Sequence, residues 1–270
     1  MILNRIYYQR ANSRMRILIP LLLLCVSMPS WAQRQFDIEV IIFKRAVDAE
    51  STTESWPNQL PKIDMENVGS LESESYRRSK GVTLLPSSSF RLNAQEAALN
   101  NHAGFKVLKH VAWRQGDRGK SSAPIFRIVG GRDFSDSYQA DGRPLNGNQT
   151  FSSDGYSEET VNGPLYELDG RFQIYVQHYL FAETTLDLRE PSVREVRFEP
   201  TSTEQLADDL GEVDGNVQVG NLAEISPTVT EEKFLKSYRM DQKRRMRSTE
   251  THYLDHPLLG IIIQVRRVAQ

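Results

Sequence analysis

The chain has 270 residues, with 33 lysines and arginines against 35 aspartates and glutamates, for a net charge of −2. That balance lacks the basic excess of a nucleic-acid binder. A single cysteine, Cys25, excludes a disulfide framework and a cysteine-ligated metal. The length suffices for a sizeable core without such cross-links.

Arg5, Arg10, Arg14 and Arg16 precede the first acidic residue, Asp37, and lead into an apolar run from Ile17 to Val26. Ser30-Trp31-Ala32 then places small residues at the −3 and −1 positions before Gln33. A basic start, a short apolar run and this ending predict a secretory signal over residues 1–32, cleaved after Ala32. Met15 would also serve as its start. A spanning helix needs about 20 apolar residues; this run is roughly half that and is broken by Pro20. Leu24 is too large for a lipoprotein box at Cys25, so the thiol is expected to leave with the signal. Cleavage removes four arginines and takes the net charge from −2 to −6. The remainder, residues 33–270, reads as a single exported domain.

Phe36, Ile38, Val40 and Ile42 alternate with Asp37 and Glu39, so the domain opens on a strand with one buried face. Ile41 and Phe43 give its far end a second apolar face. Residues 46–80 are rich in Ser, Thr, Glu and Asn and read as loop, with Trp56-Pro57 docked on the domain. Asn93 with Glu96 reads as a capping box, opening a helix that Gly104 closes in the left-handed region. Phe105, Val107, Lys109, Val111 and Trp113 are placed on one face of a second strand. Ile125–Val129, closed by Gly130-Gly131, forms a third. Residues 131–163 read as loop.

Asp169-Gly170 is a hairpin-turn signal. From Phe172, apolar residues alternate through Ile174, Val176, Leu180, Leu186 and Leu188, which reads as one long bent strand. Residues 193–198 add a short one. Glu199–Glu232 holds nine acids and neither Lys nor Arg. Fixing about 30 residues costs at least ~30 kcal/mol, and burying its few large apolar side chains returns about 16 kcal/mol. A mobile acidic insertion is expected there, with at most a short helix after Ser202.

The polarity then reverses. Lys233, Lys236, Arg239, Lys243, Arg244, Arg245 and Arg247 face one acid, Asp241. Phe234 and Tyr238 at i, i+4 permit a helix over Glu231–Arg247, and the residues alone leave helix and strand both open. Leu258–Val265 is almost wholly apolar and reads as an interior strand. The class is therefore α+β, a largely antiparallel sheet with few helices, closed by the final strand.

Candidate chemistry is sparse. In His252-Tyr253-Leu254-Asp255-His256, the following Pro257 removes His256 from the helical geometry of a zinc pair. A turn is expected instead, with the Asp255 side chain bonding nearby backbone N–H groups. No metal and no cofactor are expected. There is no Gly-x-Ser-x-Gly elbow, and Gly130-Gly131 lacks the Lys-Ser/Thr of a phosphate loop. Arg244, Arg245 and Arg247, with Tyr253 and His256, form the candidate ligand-binding set, in which guanidinium forks would grip an anion. The alternative is a solvated basic face. Tyr175, Tyr179 and Phe181 lie on the polar face of the long strand, either under a second packed layer or as a ligand platform.

The C-terminal run from Arg244-Arg245-Met246-Arg247 through Tyr253-Leu254-Asp255-His256-Pro257 to Ile261-Ile262-Ile263-Gln264-Val265 resembles the closing signature of the periplasmic peptidoglycan-binding CsiV family. Phe36–Arg45, Leu168-Asp169-Gly170 and Tyr179-Leu180 resemble the same family, and none of these blocks is a catalytic motif. The resemblance implies extended structure over Glu231–Arg247. It also implies a non-enzymatic periplasmic protein that binds peptidoglycan. In cell-wall biogenesis it would act with the outer-membrane lipoprotein activator LpoA of a class A penicillin-binding protein. The alternative is a periplasmic wall-modifying hydrolase with an unrecognised site.

Overall fold

A computed structural model describes residues 34–145, 163–198 and 228–269. The expected signal segment, residues 146–162 of the expected 131–163 loop, and residues 199–227 of the expected acidic insertion lie outside the described residues. The strands are β1 (Gln35–Arg45), β2 (Val68–Ser70), β3 (Thr83–Leu84), β4 (Phe105–Gly116), β5 (Ile125–Asp133), β6 (Tyr166–Gln177), β7 (Tyr179–Phe198), β8 (Thr228–Met246), β9 (Thr251–Asp255) and β10 (Leu259–Arg267). Two helices accompany them, α1 (Glu74–Lys80) and α2 (Asn93–Asn100). The strands form two five-stranded sheets in the orders β3-β4-β1-β10-β9 and β2-β5-β6-β7-β8. Among the described strands, only β2 and β5 pair in parallel. The chain is thus α+β and largely antiparallel, as expected, but divided between two sheets.

Their apolar faces meet in one core. Ile38, Val40 and Ile42 of β1 and Ile261, Ile263 and Val265 of β10 join Phe126, Phe172, Leu186, Leu188 and Met240 of the other sheet. At its centre Trp113 is fully buried, edge-on to Phe126 at 5.3 Å and to Phe172 at 6.2 Å. A buried indole N–H must find an acceptor. Trp113 Nε1 donates to Gln115 Oε1 at 2.7 Å, and Gln115 Nε2 donates to the Ile174 carbonyl at 2.8 Å. One amide thereby satisfies the ring and ties the two sheets together.

β1 is covered on its second face too. Ile41 and Phe43 pack with Leu92 beneath α2. Phe43 lies against Gly260, where any Cβ would strike its ring, and stacks on Tyr253 at 6.3 Å. β10 sits between β1 and β9, which accounts for its unbroken apolar run. Trp56 docks as expected, edge-on to Tyr238 at 5.5 Å.

Several local expectations are corrected. The β1–β4 register shifts at Ile42/Phe43, so Val107 pairs with Phe43 and Lys109 with Ile42. This bulge turns Phe105 and Val107 toward α2 while Val111 and Trp113 face the core. Asp169-Gly170 is no turn; both lie within β6, opposite Asp187 and Leu186. The reversal is at His178, with φ 48, between paired Gln177 and Tyr179. Because partners there sum to an even number, as Ile174 with Ala182, even residues keep the core face on both strands. The alternation therefore runs through the turn undisturbed, which is why two strands read as one. Gly130-Gly131 does not close β5 but bulges within it, and a Cβ on Gly130 would strike the Leu108 carbonyl.

The loop-rich 46–80 region contains β2 and α1. Ser73 caps α1 by accepting from the Tyr76 N–H, and Gly81, with φ 64, ends it. In α2 the cap position is Leu92, without a side-chain bond, and Asn93 is already helical. The Glu39 carboxylate of β1 supplies acceptors instead, taking the N–H groups of Arg91 and Leu92 at 2.8–2.9 Å. Gly104 does not terminate α2, whose C-cap is Asn101. Glu231–Arg247 is strand through Met246, as the family resemblance implies.

Candidate functional site

In a strand, neighbouring side chains point to opposite faces. Odd-numbered residues of β6, β7 and β8 therefore share the outer face of the second sheet. Register places Tyr175 beside Phe181 and Phe181 beside Arg245. The row below runs Gln173, Glu183, Lys243. Tyr175 and Phe181 stack at 5.5 Å with ring planes 22° apart. Lys243 Nζ lies 5.1 Å from the Phe181 ring, and the Arg245 guanidinium 4.6 Å from that of Tyr179. Tyr179 is 56 % exposed, high for so large a ring.

A groove of about 770 Å³ adjoins this row, lined by Lys80, Lys120, Ser121, Arg171, Gln173 and Glu183 among others. Its wall is the β4–β5 loop, held by bonds from Gln173 Nε2 to the Lys120 carbonyl at 2.8 Å and from the Val176 N–H to the Arg118 carbonyl at 2.9 Å. Lys120 Nζ grips both Glu183 oxygens, at 2.9 and 2.7 Å. Burial pushes the Glu183 carboxyl up, but Lys120, the Tyr175 hydroxyl and Lys243 outweigh it and hold the group below the usual range. Glu183 in turn raises the Lys120 ammonium. Both stay charged at neutral pH.

A second hollow, about 430 Å³, lies on the same sheet and includes Asp169, Asp187, Arg189 and Arg239. Asp169 and Asp187 oppose each other in register. Each is gripped by a two-pronged arginine: Arg127 on Asp169 at 2.9 Å and Arg239 on Asp187 at 2.8 Å. Arg189 adds a third contact, to Asp169 at 3.3 Å. Each carboxylate is thus held in ion pairs that crosslink neighbouring strands.

The structure does not bring together the five candidate residues read from sequence. Arg245 belongs to the ring row. Arg244 has the parity of the core residues Met240 and Met246 and so leaves the strand on the opposite side. Arg247 follows β8, exposed beside Glu250 at 3.8 Å. Tyr253 sits in the other sheet, accepting from Arg45 Nη2 at 2.6 Å and donating to Asp255 at 2.9 Å. His256 is buried against Trp56, with ring centres 5.4 Å apart, and burial lowers its pKa. The turn at His256 forms, but Asp255 binds Arg45 and Tyr253 rather than backbone. His256 Nδ1 takes that role, accepting from the Leu258 N–H at 3.2 Å. Lys80, Lys120, Arg171 and Glu183 carry no sequence signal as a group, because they come from α1, the β4–β5 loop, β6 and β7 and meet only in the tertiary fold.

These features define the class: a two-sheet, largely antiparallel domain whose outer face carries stacked rings, cations and an open polar groove. No helix among the described residues is long and apolar enough to cross a membrane. The chain belongs to the CsiV family, described as peptidoglycan-binding protein, whose model matches residues 16–268. No curated protein and no solved structure matches it.

Proposed function

We propose that this is a non-enzymatic periplasmic protein that binds peptidoglycan through the outer face of the β6–β7–β8 sheet. The carrying observation is the exposed Tyr179 ring under Arg245, in line with Phe181 and Lys243. Ring faces stack on sugars, and cations pair with the carboxylates of peptide stems. Arg247, exposed just past the end of β8, adds to its positive field, whereas Arg244 lies on the other side of the strand. Neutralised carboxylates at Asp169 and Asp187 and an ionised Glu183 favour binding over hydrolysis. The basic signal-like leader supports export, and the family resemblance supports work in cell-wall synthesis with LpoA and a class A penicillin-binding protein.

The test is to sediment purified sacculi with the mature protein and assay both the pellet and the released fragments. Binding without release is expected, weakened by Tyr179→Ala and Arg245→Gln and by added salt. Release of soluble fragments, lost on carboxylate substitution, would establish the hydrolase instead. Partner contact is tested separately by co-purification with LpoA.

A further inference from the structure

Beyond Lys120 the groove reaches the end of α1, where cations outnumber acids. Lys80, the last helical residue, forms no ion pair among the described residues, and its Nζ lies 5.9 Å from the Tyr76 ring. Arg118, next to the groove residues Gly119 and Lys120, has a buried Nε with no hydrogen-bond partner. Its Nη2 lies beside Gly81, 3.2 Å from where a Cβ would stand.

That edge has a defined use elsewhere in the molecule. Arg114, Arg127 and Arg239 each hold a carboxylate through Nε and Nη2 together, on Asp37, Asp169 and Asp187. Arg118 carries no carboxylate on that edge among the described residues; its Nε is closed off from solvent, and the residue borders the groove lining at Gly119. A buried donor without a partner is costly, and a bound anion would remove that cost. The backbone that carries Arg118 is held in place, because the Arg118 carbonyl accepts from Val176 and Gln173 holds the Lys120 carbonyl. Nearby, Glu183 is matched by Lys120, and Arg171 Nη1 reaches the Asp64 carboxylate at 3.5 Å. Lys80 and Arg118 are left as surplus positive charge.

We infer that this end of the groove is a carboxylate site for a peptide stem, with Arg118 as the fork and Lys80 as the supporting charge. The inference rests on the peptidoglycan reading and divides its labour: glycan on the ring row, peptide carboxylate at Lys80 and Arg118. Lys120 and Glu183 join the two, since Lys120 Nζ also lies 5.7 Å from the Tyr175 ring.

The experiment titrates the mature protein with three probes: soluble disaccharide-peptides with free carboxylates, the same compounds amidated, and glycan strands stripped of peptide. Wild type should bind the free acid, and amidation should weaken binding roughly tenfold, as expected for one lost charge-assisted hydrogen bond. Arg118→Gln and Lys80→Gln should each weaken the free acid but leave stripped glycan unchanged. Neither residue has an acidic partner to orphan among the described residues, so both variants should fold, and Lys80→Gln at the helix end is the safer of the two. Indifference to amidation and to both substitutions, in a protein that still sediments with sacculi, would overturn this site while leaving wall binding intact. An equal loss on stripped glycan would also overturn it. Failure of wild type to sediment with sacculi would remove the underlying reading and this inference with it.

Discussion

Glu39→Gln is the sharpest test of how the first sheet is held. Glu39 is fully buried on β1 and accepts from the N–H groups of Arg91 and Leu92, from Arg266 Nη1 at 2.7 Å and from His110 Nε2 at 3.0 Å. Burial alone would raise its pKa, yet His110, Arg266 and the two backbone donors together bring it from 4.5 down to about 2. A depression of about 2.5 units corresponds to roughly 3 kcal/mol at 1.36 kcal/mol per unit. The amide of Gln can still accept at one oxygen, but its NH₂ would face a buried donor, so the loss should be about 3 kcal/mol. For a domain of this size that is a fall in Tm of roughly 6–12 °C, at 2–4 °C per kcal/mol. Because the folded pKa is depressed, this stability is present above the unfolded value of 4.5 and drains away as pH falls toward 2. Urea denaturation of both proteins at several values between pH 7 and 3 would measure it. The gap should be widest at neutral pH and close in acid. A variant within about 1 kcal/mol of wild type at pH 7, with the same acid profile, would refute the reasoning.

The opposite sign applies to His110, whose ring nitrogens meet Glu39 at 3.0 Å and Glu96 at 2.8 Å. Burial lowers its pKa, but the two carboxylates outweigh burial and raise it, so its contribution is full below pH 6.5 and is lost as pH rises through the folded value; His110→Gln should flatten the stability profile between pH 6 and 9. Trp113→Phe removes the N–H that Gln115 accepts and should cost about 1–3 kcal/mol by urea denaturation, with sacculus binding unchanged. Phe198 and Thr228 pair across the ends of the β7–β8 hairpin, so replacing residues 199–227 by Asn-Gly should leave Tm within about 5 °C. A collapse of folding would show that the acidic stretch is part of the core. Tyr179→Ala, at an exposed ring, should weaken sedimentation with sacculi while moving Tm by about 2 °C or less.

Strand identity was legible where composition alone decides burial, at both apolar faces of β1 and in the interior β10; for the basic stretch the residues permitted a helix, and only the family resemblance pointed to a strand. Local geometry was less so. The His178 reversal has no Gly, Pro or Asn to mark it and leaves the face parity intact, so no periodicity argument could locate it. The capping of α2 by Glu39 joins residues 52 and 53 positions apart. The site failed for a related reason. Arg244 and Arg245 looked like one cradle because they are adjacent in sequence, whereas adjacency in a strand sends side chains to opposite faces. Its other members come from α1, the β4–β5 loop, β6 and β7, which only tertiary pairing brings together.

The pairing of β1 with β10, from Phe36 opposite Arg267 to Lys44 opposite Leu259, joins the first strand to the last. The first sheet therefore cannot be completed until β10 is in place. During synthesis, β1 has only β4 as a partner, and the core face of Ile38, Val40 and Ile42 lacks its β10 neighbours. Closing a loop of this length makes folding slow relative to chains rich in local contacts. The apolar face of β1 is therefore completed only by the strand furthest from it among the described residues.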